Sequence, residues 1–269
     1  MGIGVAGSGH FANKRRECRA RPPILITLRP MKYCDLTLPL PEENLACDEV
    51  LFDRCEEGDE SEIIRFWEPK GYFVVVGYAN KVETEVNLEF CLANAIPVFR
   101  RCTGGGTVLQ GPGVLNYSLI LRQHSCTELQ SIAETNEFVL KRNQRALNAV
   151  LAAPVERRGQ TDLAIGGLKF SGNAQRRHRQ CLVFHGSILL DLDLTLVEKV
   201  LPMPSRQPDY RLNRSHKDFL MNLKIPAEGI KAALAAAWDA QESLAAVPLD
   251  RIHLLAQNKY ALEVWNRRI

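Results

Sequence analysis

Short apolar segments bounded by turn residues occupy the middle of the chain. Four of them have strand length and are rich in β-branched and aromatic residues, namely Ile63–Trp67, 72–77, 97–101 and Val114–Arg122. The first two flank the turn-forming segment 68–71, which predicts a β-hairpin. This region is therefore predicted to form a sheet in which antiparallel neighbours are frequent.

A second group of strands follows nearer the C-terminus. Residues 163–165 and 168–170 flank Gly166-Gly167, the pattern of a hairpin with a two-residue turn. Segments 181–184 and 187–193 predict one or two further strands.

Helical patterns precede, separate and follow these strands. The predicted helices are a helix from Pro41 through Cys55, a short one over 89–95, a long one after the capping box at 127–130 that ends near 151, an Ala-rich one after Pro226, and a last one from 249 to the end. Hairpins outnumber crossover connections. The predicted class is therefore α+β, with a mixed, largely antiparallel sheet and flanking helices.

The length fits one domain over 31–269, with a core at 31–205 and a helical C-terminal part at 206–269. Residues 1–30 are rich in Gly and Arg and are predicted to be a disordered leader. The leader is either an organelle transit segment, which would imply a mitochondrion or plastid, or the product of a start upstream of a native Met31. We favour the second interpretation, and with it a cytoplasmic protein.

Charge argues against a nucleic-acid partner. The net charge is +3, but residues 1–34 hold seven basic residues and one acid, so the remainder carries −3. A slightly acidic body does not favour nucleic-acid binding. No apolar run approaches the roughly 18 residues needed to span a bilayer, so no membrane partner is expected either.

The eight cysteines are scattered, without CxxC or a nearby His at ligand spacing, which disfavours a zinc site. They predict a reducing compartment in which each cysteine is a small core or surface residue.

Two segments carry candidate chemistry. Arg100 and Arg101 precede Gly104-Gly105-Gly106, between two predicted strands. Glycine allows close approach of backbone N–H groups, and arginine offers a fork of donors to a carboxylate or phosphate. The segment is thus a candidate cradle for an anionic small molecule, with a plain turn or bulge as the alternative. Because strand residues alternate, one arginine should face away, and Arg101 is chosen for the site.

The second segment, 162–175, places Lys169 within an apolar strand pattern. A lysine facing a core is costly unless an anion pairs with it. The alternative is an edge-strand lysine that discourages aggregation.

These segments resemble the lipoate–protein ligase A family of the biotin/lipoate A/B superfamily. The resemblance rests on Arg-Arg-x-Thr-Gly-Gly-Gly-x-Val at 100–108, Leu115-Asn116-Tyr117-Ser118, the run from Gly167 to Gln175, and His185-Gly186-Ser187-Ile188-Leu189-Leu190. It spans roughly residues 31–220 in the family's order. It implies a fold related to biotin ligases and class II aminoacyl-tRNA synthetases.

The resemblance also implies an activity. A lipoate–protein ligase activates lipoate or octanoate with ATP and Mg²⁺, forming an acyl adenylate, and then acylates a lysine of a lipoyl carrier domain. The carrier would be a glycine-cleavage H protein or an E2 subunit, and an accessory subunit is a further partner to consider. The sequence does not distinguish lipoate from octanoate.

Carried over to this chain, the family assigns Lys169 as the catalytic residue that binds the acyl carbonyl and phosphate oxygen. Asp162 would meet the adenylate or its Mg²⁺, or else simply cap the hairpin. The remaining residues would line the substrate and adenylate site, with the last two bordering the acyl tunnel: Arg101, Gly104, Gly105, Gly106, Asn116, Ser171, Gly172, Ala174, Gly186 and Ser187. His185 is expected to be a core histidine, and 176–179 a solvated basic run or a contact for an acidic carrier.

Two departures keep alternatives open. The family usually has a histidine after the glycines, where this chain has Gln110-Gly111-Pro112-Gly113, and too few residues follow the core for a full accessory domain. The alternatives are a cysteine-dependent octanoyl or lipoyl transferase between carriers and a non-catalytic partner on the same fold. The segment in which such transferases carry their thiol, 152–160, has no cysteine, although Cys102 and Cys181 are nearby substitutes. Biotin ligation is disfavoured because its arginine–glycine pattern differs.

Overall fold

The computed structural model describes residues 31–268, together with residues 1, 2 and 4, so the predicted leader lies outside the described residues. The strands of this part are β1 (Lys32–Asp35), β2 (Ile63–Trp67), β3 (Phe73–Val76), β4 (Val98–Arg100), β5 (Val108–Gln110), β6 (Val114–Arg122), β7 (Glu156–Arg158), β8 (Asp162–Ile165), β9 (Leu168–Arg177), β10 (Cys181–Leu189) and β11 (Glu242–Ser243). The helices are α1 (Pro41–Glu56), α2 (Val82–Glu85), α3 (Leu88–Ala93), α4 (Ile132–Asn148), α5 (Leu194–Val200), α6 (His216–Phe219), α7 (Ala227–Ala237), α8 (Leu249–Leu255) and α9 (Glu263–Asn266).

The strands form two sheets. The larger has the order β11-β1-β2-β6-β10-β9-β8-β7, and the smaller has the order β4-β3-β5. In the larger sheet β1 runs parallel to β2 and β11, and the other pairs are antiparallel. The predicted α+β class with a mixed, largely antiparallel sheet is confirmed.

The large sheet is buried on both faces. One face packs against α4 and α7 through a core that includes Leu119, Phe184, Leu147 and Leu234. The other face packs against α1 and α8 through a second core, to which β6 contributes Ile120. A sheet covered on both sides can hold polar groups only where they pair with one another.

Several local predictions were wrong. The proposed hairpin of β2 and β3 does not form, because β2 pairs with β1 and β6 whereas β3 pairs with β4 and β5 in the other sheet. The one or two strands predicted over 181–193 prove to be one, β10, and only the predicted end is wrong, since the strand stops at Leu189. The long helix α4 is capped by Ser131, whose Oγ accepts from the Glu134 N–H, and not by the 127–130 capping box.

The C-terminal segment also differs from a single helix. After α8 the chain makes a π-helical turn at Ala256–Tyr260 and then the short helix α9. Two cysteines are paired, contrary to expectation: Cys55 at the end of α1 forms a disulfide with Cys181 at the start of β10. Within the described residues, the helices are too short or too polar to cross a membrane.

Candidate active site

Five of the predicted residues share one face of the large sheet. Asp162 on β8 lies opposite Gly172 on β9, Gly172 lies opposite Ser187 on β10, and Ser187 lies opposite Asn116 on β6. Directly opposed residues project to the same side of a sheet. Ala174 lies two residues beyond Gly172 and so projects to that side as well. This is the face covered by α1, and it carries the candidate site.

Ser171 and Gly186 belong to the opposite face. Ser171 lies opposite Ile188, a member of the core beneath α4 and α7. A Cβ added at Gly186 would lie 1.8 Å from Asn173 Oδ1 and 2.8 Å from Tyr117 Cε1. Gly186 therefore makes room for the buried Tyr117 and the half-buried Asn173 side chains. The tunnel border and the adenylate contact assigned to Gly186 and Ser171 stay predictions.

The residues around Gly186 form a buried hydrogen-bond chain. The Tyr117 hydroxyl donates to Asn173 Oδ1 at 2.5 Å, Asn143 Nδ2 donates to the Tyr117 oxygen at 2.9 Å, and Trp238 Nε1 donates to Asn143 Oδ1 at 2.8 Å. The chain links β9 and β6 to α4 and to the residue that follows α7. It satisfies polar groups inside the first core.

A β-bulge brings Lys169 to the candidate face. Leu163 lies opposite Ser171 but the next residue, Ala164, lies opposite Lys169, so Phe170 is the extra residue on β9. In a regular strand, residues 169 and 172 would project to opposite faces. The bulge turns both Phe170 and Ser171 toward the core and leaves Lys169 on the same side as residue 172.

Lys169 is paired with a carboxylate, as the cost of burying a lysine predicts. Its Nζ lies 2.7 Å from Asp162 Oδ1, and the lysine side chain is 26% exposed. The ammonium group lies directly over Gly172, because a Cβ added there would lie 2.8 Å from Nζ. The glycine thus leaves the space in which the lysine amine rests.

Tyr210 completes the coordination of Asp162 and was missed by sequence reasoning. Its hydroxyl donates to Asp162 Oδ2 at 2.8 Å. Burial and the adjacent Asp162 carboxylate raise the pKa of Tyr210 well above its ordinary value, so the hydroxyl remains a donor. The Tyr210 segment is itself attached to the Lys169 hairpin, since Arg214 Nη2 donates to the Gly167 carbonyl at 3.0 Å. No local pattern could link residues 162 and 210.

Arg101 shapes the glycine loop. Its Nη2 donates to the carbonyl oxygens of Gly104 at 2.6 Å and Gly106 at 2.7 Å, and burial lowers its pKa to about 10. Gly105 has a φ of +89°, and a Cβ there would lie 2.8 Å from Arg101 Nη2 and 3.4 Å from Ala174 Cβ. The loop therefore lies against β9, next to the candidate face.

The same arrangement leaves donors free. The carbonyl groups of Gly104 and Gly106 turn toward Arg101, and the three loop glycines are exposed. Among the residues that the structure describes, none accepts a hydrogen bond from the N–H groups of Gly104, Gly105 or Gly106. Successive unpaired N–H groups form a concavity suited to an anion.

Arg100 points the other way, as strand alternation predicts. It is fully buried, and its guanidinium donates to backbone carbonyl oxygens, including those of Gly77, Asn80 and Arg268 at 2.8–2.9 Å. It therefore organises backbone behind the loop and does not face the site.

Gln110, noted above only as a departure, is part of the site. Gln110 and Asn116 exchange two amide hydrogen bonds at 2.9 Å, and the Ser187 hydroxyl donates to Asn116 Oδ1 at 2.7 Å. Two predicted residues, Asn116 and Ser187, thus share the Gln110 side chain as a hydrogen-bond partner. The cluster is neutral and its hydrogen bonds are internal.

His185 links helix α1 to the glycine loop. Its Nε2 lies 2.7 Å from Thr103 Oγ1, and its Nδ1 lies 3.4 Å from Asp48 Oδ2. Arg65 Nη1 donates to the other Asp48 oxygen at 2.6 Å. Burial alone would raise the pKa of Asp48, but Arg65 and the His185 hydrogen bond hold it below its ordinary value. His185 is half-buried and both ring nitrogens have partners, so the expectation that it is a core histidine without a catalytic role stays a prediction.

The thiols are poorly suited to nucleophilic chemistry. Cys181 is in the disulfide, and burial raises the pKa of Cys102 to about 11. The other free cysteines of the described part also have raised pKa values, with burial as the largest cause: Cys34, Cys47, Cys91 and Cys126. A catalytic thiol requires a lowered pKa.

Two further predicted features are the basic run at 176–179 and the acyl tunnel. In the basic run, Arg176 Nη1 lies 2.6 Å from Glu49 Oε1 and Arg177 Nη2 donates to the Leu129 carbonyl, so both stabilise the fold. An open depression of about 360 Å³ is lined by Tyr33, Lys231 and neighbours, and by none of the predicted residues. The acyl tunnel therefore stays a prediction.

The described part contains no cluster of three His, Cys, Asp or Glu side chains that could hold a metal ion. Asp162, the predicted Mg²⁺ ligand, has both oxygens engaged by Lys169 and Tyr210. These side chains do not fit a resident metal site, although Mg²⁺ commonly binds through one carboxylate together with substrate phosphates.

Comparison with known proteins now decides the family. The model of the lipoyl protein ligase A/B catalytic domain matches residues 40–235, most of the chain. The chain belongs to this family. Its relatives are named as ligases and transferases, so the family is one of enzymes.

Three relatives illustrate both activities. A probable lipoate-protein ligase A from Mycoplasma pneumoniae is 34% identical over 73% of this chain, which spans 59% of that relative's length. The octanoyltransferase LipM of Geobacillus kaustophilus is 27% identical over 84% of this chain and 94% of its own. Lipoate-protein ligase A subunit 1 of Thermoplasma acidophilum is 27% identical over 83% of this chain and 90% of its own.

Solved structures share the fold. A Thermoplasma acidophilum lipoate protein ligase with bound lipoic acid has a TM-score of 0.76 at 22% identity, covering 90% of this chain and all of that one. A bipartite ligase studied with its E2 lipoyl domain, from the same organism, has 0.73 at 23%, covering 88% and 96%. A lipoate-protein ligase A bound with ATP has 0.74 at 23%, covering 89% and 99%.

Proposed function

We propose that this protein activates lipoate or octanoate with ATP and transfers the acyl group to a lysine of a lipoyl carrier domain. The observation that carries the proposal is the meeting of two anion-binding features on one face. One is the Lys169 ammonium over Gly172. The other is the glycine loop at 104–106 with its unpaired N–H groups, held against β9 next to Ala174.

In the first step a carboxylate oxygen of the acid attacks the α-phosphorus of ATP, the α–β anhydride bond breaks, and pyrophosphate leaves. The loop N–H groups at 104–106 are free to bind the phosphate or the acyl carboxylate. Lys169 is held by Asp162 before substrate binds and would exchange this partner for the developing charge on the phosphate and carbonyl oxygens. Preorganised donors of this kind stabilise the transition state.

In the second step the carrier's lysine amine attacks the acyl carbon, the mixed anhydride bond breaks, and AMP leaves as the amide forms. Lys169 would remain on the acyl carbonyl oxygen, where negative charge develops. Tyr210 keeps Asp162 in place after Lys169 has moved, because its hydroxyl binds the second oxygen of that carboxylate. Asn116 and Ser187 would line the site through their amide cluster with Gln110.

The raised pKa values of the free cysteines favour adenylation over the alternative, an ATP-independent transferase. A transferase of the cysteine-dependent kind needs an accessible thiol with a lowered pKa. Every free cysteine in the described part has a raised pKa instead, and 152–160 contains none. The relatives that are octanoyltransferases keep transfer as the second candidate.

Similarity to solved structures supports the proposal that ATP is a substrate and that a lipoyl domain is the acceptor. One solved neighbour is described as bound with ATP, and another as a bipartite ligase with its E2 lipoyl domain. We expect Mg²⁺ to enter with the nucleotide phosphates, and we assign no step to a metal held by side chains alone. An E2 domain or a glycine-cleavage H protein is the proposed acceptor, and the bipartite neighbour suggests testing an accessory subunit.

The deciding experiment is mass spectrometry of a purified lipoyl domain after incubation with this protein. One arm contains lipoate, ATP and Mg²⁺, and the other contains octanoyl-carrier protein without ATP. A gain of one lipoyl mass only in the first arm supports the ligase. A gain in the second arm supports the transferase. No gain in either arm, with or without an accessory subunit, contradicts both activities.

A matched pair of lysine variants tests the site. Lys169→Ala should abolish acyl transfer while the protein still folds, because the ammonium group is lost from the candidate face. Lys224→Ala is the control, since Lys224 pairs with Asp191 on the surface. Activity of Lys169→Ala within a few-fold of the control would overturn the assignment.

A further inference from the structure

The C-terminal residues contact the back of the glycine loop through Arg100. They lie outside residues 40–235, which the family model matches. Asn266 Oδ1 accepts from the Arg100 backbone N–H at 2.8 Å, and Trp265 Nε1 donates to the Arg100 carbonyl at 2.8 Å. The Arg100 guanidinium donates in turn to the carbonyl oxygens of Asn266 and Arg268 at 3.2 and 2.8 Å. We call residues 256–268 the C-terminal strap.

The strap is itself anchored to helix α1. Glu49 on α1 accepts hydrogen bonds from Lys259 Nζ at 2.6 Å and from the Tyr260 hydroxyl at 2.8 Å. Asn266 Nδ2 donates to the Tyr260 carbonyl at 2.7 Å, which joins α9 to the π-helical turn. Asn266 and Tyr260 are both buried, so these bonds are shielded from water.

Arg100 connects the C-terminal strap to the turn at 77–80. Its Nη1 donates to the carbonyl oxygens of Gly77, Tyr78 and Asn80 at 2.9, 3.1 and 2.8 Å. Within the described residues, the guanidinium of Arg100 donates to backbone carbonyl oxygens alone. One buried guanidinium thus joins the strap to a turn that is remote from it in sequence.

The glycine loop packs against the turn at 77–80. The Tyr78 N–H donates to the Thr103 carbonyl at 2.9 Å, and Asn80 Nδ2 donates to Thr107 Oγ1 at 3.4 Å. A Cβ added at Gly77 would lie 2.1 Å from the Gly105 carbonyl oxygen. Any movement of the turn therefore reaches the loop directly.

We infer that the C-terminal strap positions the glycine loop for substrate, with Asn266 and Arg100 as positioning residues that do not touch the substrate themselves. The loop needs outside support, because its glycines have high conformational freedom and its outward N–H groups make no internal bonds. Without the strap the loop would sample other conformations, and substrate would bind only the fraction that remains competent. The predicted change in the KM for lipoate rests on the proposed function, whereas the predicted ordering of the glycine loop by the strap does not.

The test compares Asn266→Ala with Val264→Ala, a control on the same helix whose side chain is 77% exposed. Hydrogen–deuterium exchange of the Tyr78 N–H, which donates to the Thr103 carbonyl of the loop, should be about tenfold faster in Asn266→Ala without substrate, since one buried hydrogen bond is worth about a factor of ten. In pyrophosphate release, the KM for lipoate should rise about tenfold while kcat stays within a few-fold. Asn266→Asp, which keeps the acceptor for the Arg100 N–H, should restore most of the protection of the Tyr78 N–H.

Unchanged exchange of the Tyr78 N–H in Asn266→Ala would overturn the inference, even if activity fell. If Asn266→Ala does not fold, Trp265→Phe replaces it, because it removes one bond to Arg100 and keeps an aromatic ring. If the wild-type protein shows no lipoylation, the proposed function fails but the exchange comparison still decides the inference. A fall in kcat with unchanged KM would likewise contradict a positioning role of this kind.

Discussion

Gly172→Ala and Gly186→Ala should affect different properties of the protein, because the two glycines face opposite sides of the large sheet. At Gly186, the new Cβ would lie 1.8 Å from Asn173 Oδ1 and 2.8 Å from Tyr117 Cε1, inside the buried hydrogen-bond chain. At Gly172 the nearest atom is Lys169 Nζ at 2.8 Å, the far end of a flexible side chain. The first substitution should therefore affect folding, and the second should affect activity.

The cost of Gly186→Ala follows from the bonds that must break. Asn173 has to move, which breaks its 2.5 Å bond with Tyr117 and its 2.7 Å bond from Nδ2 to the Thr161 carbonyl. A fully buried polar group left without a partner costs about 1–3 kcal/mol, and the two bonds here are partly buried, so each counts at the lower end of that range. We therefore expect a loss of about 2–3 kcal/mol, a substantial part of the 5–15 kcal/mol typical of a domain.

Gly172→Ala should cost less than about 1 kcal/mol of stability, because the lysine side chain can rotate away. That rotation removes the ammonium group from its position near Asp162 and the loop. A displacement of about 1 Å in a positioning group can lower the rate about a hundredfold. Acyl transfer per folded molecule should therefore fall by roughly that factor.

Urea denaturation followed by tryptophan fluorescence measures the stability of both variants, and lipoyl transfer per folded molecule measures activity. Asn173→Ala supplies the cross-check: it removes the clashing amide, so Gly186→Ala should cost much less in that background. The reasoning is refuted if Gly186→Ala costs the same with and without Asn173. It is also refuted if Gly172→Ala unfolds the protein or retains full activity.

Three further predictions follow from contacts outside the glycine loop. Tyr210→Phe removes the hydroxyl donor to Asp162 and should lower kcat for acyl transfer about tenfold and the melting temperature by several degrees, since a hydrogen bond to a charged group is worth about 1.5–3 kcal/mol. Buried Glu49 has a pKa below its ordinary value, because its hydrogen bonds outweigh the effect of burial. The stability that Glu49 contributes is therefore complete above about pH 4.5 and is lost as the pH falls through its folded-state pKa. Acid denaturation of Glu49→Gln should show a weaker pH dependence in that range than acid denaturation of the wild type. Cys55→Ser removes the disulfide to Cys181, which spans a sequence separation of 126, and should lower stability by about 2–4 kcal/mol in urea; equal stability under oxidising conditions would contradict a formed bond.

Local pattern predicted most elements because it reflects local sterics. β-Branched and aromatic runs between turn residues located β2, β6 and the hairpin of β8 and β9, and Pro41 located the start of α1. The same pattern could not say which strands pair. β2 and β3 are both fully buried, and their separation into two sheets depends on partners distant in sequence.

The candidate site shows the same division. The arginine–glycine segment and Lys169 could be singled out because a cationic side chain in an apolar strand demands an anion, and the resemblance to the family followed from those residues. Asp162 was already a candidate, and it proves to be the anion. Tyr210 and Gln110 could not be assigned, because each lies outside the large sheet and meets its partners only in the tertiary structure.

The sequence by itself therefore determined the class of fold and the family, and it singled out the candidate residues for the chemistry. Only the tertiary structure decided the direction in which those residues face. One extra residue in β9, Phe170, puts Lys169 and Gly172 on a common side, and strand pairing puts Gly186 on the other side. The physical reason is that side-chain direction alternates along a strand, so a single bulge reverses a face while leaving the hydrophobic pattern almost unchanged.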